Sequence, residues 1–248
     1  MPTIAIAGTY SVGKTLTSIA LAHLSGIPRS AAQTMRDLLP ISVPGKTLEE
    51  CTPAEIIMLI MRRNQERAVN ESHLPDGFIS DGSSLHEWAY GTVRVTVGIN
   101  PNDTTDLTTA DHSDKLGFYR DVLAQMAIPA HQHAKATYDS FVHLPIEFPL
   151  VPDGHRPVNE RFRFLADELM LTTLQQLQIP YHTVGGSITQ RLQQILDLYH
   201  LTPQMSITEA ITRARADYVR IDTTPETARP ATIHPANART ATIVNGLL

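Results

Sequence analysis

A single cysteine, Cys51, stands in a chain of 248 residues. One thiol cannot close an internal disulfide, so the fold must rest on its apolar core, and the expected compartment is a reducing one, the cytoplasm. Long apolar runs are missing as well. The longest, Ile56 to Met61, ends at Arg62 and Arg63, well short of the roughly 18 residues that would indicate a membrane span. No basic segment followed by an apolar stretch opens the chain, so neither an anchor nor a secretory signal is expected. Clustered positive charge is absent too. The 20 Lys and Arg are scattered among 25 Asp and Glu, for a net charge of -5. That sign and distribution exclude a nucleic acid polymer as an expected partner. Two further absences narrow the field: no Asn-Lys-x-Asp string, the usual base reader of GTPases, and no internal repeat.

What the chain does have is Gly8-Thr9-Tyr10-Ser11-Val12-Gly13-Lys14-Thr15, a complete G-x-x-x-x-G-K-[ST] phosphate-binding loop of Walker A type. Thr3 to Ala7 before it is β-branched and apolar, suited to a buried strand. Leu16 to Leu24 after it has helical spacing, so the motif lies in the strand-turn-helix context its chemistry requires. Glycines at 8 and 13 let the backbone take positive φ and turn its N–H groups, including those of Tyr10, Ser11 and Val12, toward a polyphosphate. The phosphates then lie at the positive end of a helix. Lys14 is expected to reach the β- and γ-phosphates, and the Thr15 hydroxyl to ligate Mg²⁺. ATP and Mg²⁺ are therefore the expected nucleotide and metal.

Strand and helix signals alternate along the chain. Thr52 and Pro53 open a helix to about Asn70, and Gly77 to Gly82 is a short strand ending in an acid. Ser83 or Ser84 caps a helix through Tyr90, and Asn100 to Asp114 is a polar loop of the kind that forms lids. Further segments are a helix over 118–138, a strand over 140–144, a helix over 159–178, a strand over 181–184, and helices over 187–199 and 207–219. The expected architecture is α/β, a three-layer sandwich with a five-stranded parallel sheet and helices on both faces. Residues 1–221 form its one domain, and 222–248, rich in Thr, Ala and Pro, an extended or disordered tail.

Two more features carry chemistry. Asp81, at the C-terminal end of its strand, points into the crevice where ligands of open α/β sheets bind, and can ligate Mg²⁺ or receive a proton from a hydroxyl. The alternative makes Asp81 a turn residue capping the next helix. Arg156, Arg161 and Arg163 span a turn and the start of a helix, a place that favours acids. Cations there imply an anion to meet, as in a lid over a triphosphate; the alternative is a solvated face paired with Glu160, Asp167 or Glu168. Trp88 and Tyr90 are either core residues or a stacking surface for a flat substrate, with His86 beside them and Glu87 equally open to solvent. His131 and His133 lie two apart on a helix, lack a completing ligand, and do not make a zinc set.

These motifs resemble small-molecule kinases of the phosphate-loop superfamily, particularly ribosylnicotinamide-kinase-like proteins of the AAA ATPase type and, more distantly, deoxynucleoside kinases. The resemblance spans roughly residues 3–195 and rests on Gly8 to Thr15, Ile79 to Ser84, the Asp153-Gly154-His155-Arg156 turn with Arg161 and Arg163, and Tyr181 to Ser187. It implies that Asp81 acts near the substrate hydroxyl, that the arginine turn is a lid, and that Gly185, Gly186 and Ser187 lie by the nucleotide base. It implies transfer of the γ-phosphoryl group to a nucleoside-like hydroxyl acceptor, and leaves a homodimer open. One departure stands out. Where such kinases often carry an acid and an arginine after the second strand, this chain has Gly26-Ile27-Pro28-Arg29-Ser30-Ala31, with no acid. An ATPase or GTPase switch acting on a protein partner is the competing reading, with 99–116 as a switch and the tail as a dock.

Overall fold

The computed structural model describes residues 1–98, 114–150, 159–221 and 228, with no side-chain description at 114–115. Five strands, β1 (Ile4–Ala7), β2 (Arg29–Ser30), β3 (Ile79–Asp81), β4 (Ser140–His143) and β5 (Tyr181–Thr183), form one sheet in the order β2-β3-β1-β4-β5. Every pairing is parallel, so each connection must cross over the sheet, and helices cover both faces.

Alternation within the strands sets the two faces. Ile4, Ile6, Ile79 and Val142 point to one side, where α1 (Lys14–Ser25), α7 (Ile188–Tyr199) and α8 (Ile207–Val219) close the core with Leu21, Leu24, Leu192, Ile195 and Ile211. Ala5, Ala7 and Phe141 point to the other, under α4 (Ser84–Val97), α5 (Asp114–Thr137) and α6 (Glu160–Gln176), which contribute Leu85, Ala134 and Met170. A third apolar cluster joins α2 (Met35–Ser42) and α3 (Pro53–Ser72) to α5 through Leu38, Leu59, Ile60 and Leu123. The expected three-layer α/β sandwich is what the chain forms.

Local chemistry sets the boundaries. Thr52 accepts from the Glu55 N–H while Glu55 accepts from the Thr52 N–H, a reciprocal cap ahead of Pro53 at the first helical position. Ser187 and Gln190 make the same pair at α7. Helix α1 starts at Gly13, in the left-handed region, and stops at Gly26, also left-handed. Three elements were not foreseen from sequence pattern: the two-residue β2, α2, whose helical spacing is interrupted by Pro40, and the 3-10 turn at Leu48–Glu50. The polar loop at 100–113, the Asp153-Gly154-His155-Arg156 turn and the proposed tail, apart from Ala228, lie outside the described residues.

Candidate active site

The phosphate loop links β1 to α1 at the middle of the sheet. Gly8 has φ +122°, and a Cβ there would lie 2.5 Å from the Leu144 carbonyl oxygen of the segment after β4, so only glycine fits. Ser11 is left-handed at φ +59°, and Gly13 at +90°. The Lys14 ammonium donates to the Thr9 carbonyl at 2.5 Å, folded back onto its own loop. In the first turn of α1 the Thr15 carbonyl accepts from the Ser18 hydroxyl at 2.9 Å.

Helices far along the chain hold the loop from outside. Arg191 of α7 donates to the Val12 carbonyl at 2.6 Å and to the Glu147 carboxylate at 2.7 Å. Glu147 also accepts from the Gly186 N–H at 2.9 and 3.0 Å; the Arg191 hydrogen bond and then this one hold its carboxyl below the usual range. From α6, Arg163 donates through Nε to the Tyr10 carbonyl at 3.0 Å and through Nη1 to the Phe148 carbonyl at 2.7 Å. The Tyr10 ring packs with Tyr90 of α4 and Phe162 of α6 in a three-ring cluster, its centroid 4.4 and 5.8 Å from theirs.

Asp81 ends β3, the strand next to β1, and shares the α1 face with Ile79, two residues earlier. Its Oδ2 accepts from Arg29 Nη2 at 2.5 Å, while its backbone carbonyl accepts from Arg67 Nη1 at 3.2 Å. Arg67 and Glu71 of α3 are buried beneath it. Glu71 accepts from the Ser80 and Tyr138 hydroxyls at 2.6 and 2.8 Å, and burial pushes the Tyr138 phenol up. On the α4 side, Ser83 and His86 Nδ1 are 2.9 Å apart. The imidazole is fully enclosed; burial, then the cations Lys14 and Arg67, hold its pKa well below the ordinary value, against a hydrogen bond to the Gly8 backbone. Glu87 is buried and pairs with Arg63 at 2.7 Å. The pair closes the α3–α4 side of the crevice.

The predicted site residues fall into three groups. Gly8, Tyr10, Ser11, Val12, Gly13, Lys14 and Thr15 follow β1, and Asp81, in register with Ile6, ends the adjacent β3, so the loop and the acid lie at neighbouring strand ends. Gly185, Gly186 and Ser187 sit behind the loop, where Gly186 meets Glu147 and Ser187 caps α7. Of the arginines, Arg163 is buried against the loop backbone, Arg161 is on the exposed start of α6, and Arg156 lies outside the described residues. Trp88 proves to be core, donating to the Leu123 carbonyl at 3.1 Å, whereas Tyr90 faces the loop. His131 and His133 are half-buried rather than on the surface: His131 packs edge-on to Trp88, and His133 lies 3.4 Å from Glu71. Among the described residues no cluster of three or more His, Cys, Asp or Glu could hold a metal ion. Mg²⁺ does not require one, since it takes one or two protein oxygens and completes its shell with phosphates and waters. The Thr15 hydroxyl and the Asp81 carboxylate, whose Oδ1 makes no described contact, fit that need.

A family profile described as an AAA domain matches residues 3–191, a span that includes every element from β1 to the start of α7. The chain belongs to this family. By sequence, no curated protein matches the AAA domain described here. Among solved structures it is similar to deoxyadenosine kinase from M. mycoides with the products dCMP and a flexible dCDP bound, at TM-score 0.50 and 14% identity, covering 80% of this chain and 98% of that one. It is also similar to the same kinase with bound dATP, at TM-score 0.50 and 12% identity, covering 80% and 99%. These likenesses are of fold. Among the described residues no helix is long and apolar enough to cross a membrane. What sequence reading of the AAA domain missed is a set of charged partners: Arg67 and Arg191, which are buried, Arg29 and Arg63, which are half-buried, and Glu147, which is exposed. The available signal was charge at helical spacing, as at Arg63, Arg67 and Glu71.

Proposed function

We propose that this AAA domain is an ATP- and Mg²⁺-dependent kinase that transfers the γ-phosphoryl group to a hydroxyl of a nucleoside or a similarly sized metabolite. The observation that carries this reading is the pairing of a complete phosphate loop on β1 with a carboxylate on the adjacent strand end, on the same sheet face as Thr15. A loop alone would serve any nucleotide enzyme. A carboxylate beside it gives the acceptor hydroxyl a partner.

In this mechanism Gly8 to Thr15 enclose the phosphates through backbone N–H groups. Lys14, folded onto the Thr9 carbonyl, exchanges that contact for the β- and γ-phosphate oxygens. The Thr15 hydroxyl and Asp81 would hold Mg²⁺, which would supply neutralising charge for those phosphates. Asp81 aligns the acceptor hydroxyl and receives its proton, Arg156 and Arg161 approach the transferring group from the lid, and Arg163 fixes the loop against α6. Gly185, Gly186 and Ser187 flank the base. Most of the acceleration comes from positioning and fixed charge, the usual source in phosphoryl transfer.

The test is incubation of the protein with labelled ATP, Mg²⁺ and a panel of nucleosides, sugars and amino alcohols. Label on an acceptor is expected; hydrolysis alone, stimulated by a protein, would favour the switch reading. Lys14→Ala should abolish transfer. Asp81→Asn should lower turnover more than ATP affinity, and near-normal turnover in that variant would defeat the role given to Asp81.

A further inference from the structure

Arg29 lies in the segment where an acid and an arginine were expected and where this chain has no acid. It lies on the edge strand β2, in register with Ile79 of β3. Its Nε donates to the Ser18 hydroxyl at 2.8 Å and its Nη2 to Asp81 Oδ2 at 2.5 Å. The Ser18 hydroxyl in turn donates to the Thr15 carbonyl. Three hydrogen bonds therefore run without a break from the first turn of α1 to the acid at the end of β3. Both ends are partly sheltered, with the Arg29 and Asp81 side chains 25% and 13% exposed. A planar guanidinium presents its donors in a fixed fork, so engaging Ser18 and Asp81 together fixes the direction of the carboxylate. Oδ2 is occupied, and Oδ1 makes no described hydrogen bond.

We propose that Arg29 is a positioning residue that holds the Asp81 carboxylate at a set separation from the Thr15 turn, coupling the magnesium side of the site to the acceptor side. The second strand thus supplies the arginine that steadies the acid at the end of the third. The acceptor half of this inference rests on the kinase reading. The magnesium half does not.

The experiment uses the full chain with Arg29→Ala, Arg29→Lys, Ser18→Ala, Asp81→Asn and the double variant R29A/D81N. Calorimetry with ATP alone in EDTA and with ATP plus Mg²⁺ gives the gain in affinity due to the metal, with no acceptor present. In R29A the EDTA affinity should stay within about threefold of wild type while the metal-dependent gain falls by about tenfold. With a nucleoside acceptor, turnover should fall by about a hundredfold, more than any change in the KM for ATP, as expected for a displaced catalytic group. R29K should recover part of that loss, because an ammonium can pair with Asp81 but cannot hold Ser18 at the same time. The double variant should be no worse than D81N, since both remove one coupled unit.

An unchanged metal-dependent gain in R29A, or losses from R29A and D81N that multiply, would overturn the role of Arg29. If R29A does not fold, S18A and R29K carry the same comparison, with a smaller loss expected in each and full wild-type values in both overturning the proposal. A wild-type protein that labels no acceptor would sink the kinase reading, while the calorimetry still decides the Arg29–Asp81 link.

Discussion

Buried charge in this protein is concentrated where β1 and β3 end, and each buried group has an identifiable cost. His86 shows this most directly. Burial and the neighbouring Lys14 and Arg67 disfavour its protonated form, so the folded protein keeps it neutral where the unfolded chain would take up a proton near pH 6.5. The unfolded state then binds more protons below that pH, and stability falls as pH drops from about 7 through 6 and below. Burial shifts His133 in the same direction, against the opposing Glu71 charge. Thermal melts between pH 7.5 and 5 should show a decline of up to about 1.4 kcal/mol per pH unit per histidine, and His86→Gln should flatten it. The sequence places His86 beside Trp88 and Tyr90 on the helix after Asp81, but only the packing of α4 against the loop shows that it is enclosed.

Helix α6 is where residue roles and element roles meet. The sequence argument for Arg161 and Arg163 rests on cations sitting where a helix start prefers acids, and it treats the two alike. The fold separates them by helical geometry: two residues apart on a helix, they face different directions. Arg163 turns inward to the Tyr10 and Phe148 carbonyls, and Arg161 turns outward. Arg163→Met would remove the donor to the part-buried Tyr10 and Phe148 carbonyls and should cost about 1–3 kcal/mol in urea unfolding. Arg161→Ala should stay within about 0.5 kcal/mol and lower phosphoryl transfer instead. Elements with strong local punctuation were readable in advance: β1 and α1 around the glycine loop, α3 from Thr52-Pro53-Ala54-Glu55, and α7 from its serine cap. The short β2 was not readable from pattern, since two residues give no periodicity, and α2 was hidden by Pro40. Glu87, expected to be as open to solvent as not, is buried because Arg63 reaches it from a helix about twenty positions away in sequence, a pairing that no local rule reports.

At the scale of the whole molecule, the sheet order places the phosphate strand at the centre, flanked by the acid-bearing strand on one side and β4 on the other. Helices α1, α7 and α8 form a single packed face behind it, and His23 of α1 meets Asp217 of α8 at 2.7 Å. Ligand at the loop is therefore expected to stabilise the domain as a unit. ATP with Mg²⁺ at a hundred times its Kd should add about 2.7 kcal/mol, a rise in melting temperature of roughly 5–10 °C for a chain of this length. Lys14→Ala should remove most of that rise, which a thermal-shift titration measures directly. The place of the loop and Asp81 at neighbouring strand ends was legible because strands of a parallel sheet end on one side. The helices around them were not, because the order of α3, α4 and α6 in space is a property of the assembled sheet.

The two outer carbonyls of the loop, at Tyr10 and Val12, are each held by an arginine, from 153 and 179 residues downstream. The octapeptide is thus not a portable cassette. Grafted onto a foreign strand-helix junction it would bring its glycines and lysine but not Arg163 and Arg191, and both carbonyls would be left to solvent. A designer who wants this cradle must transplant α6 and α7 with it, and a circular permutant opened between those helices should test how much of its grip they supply.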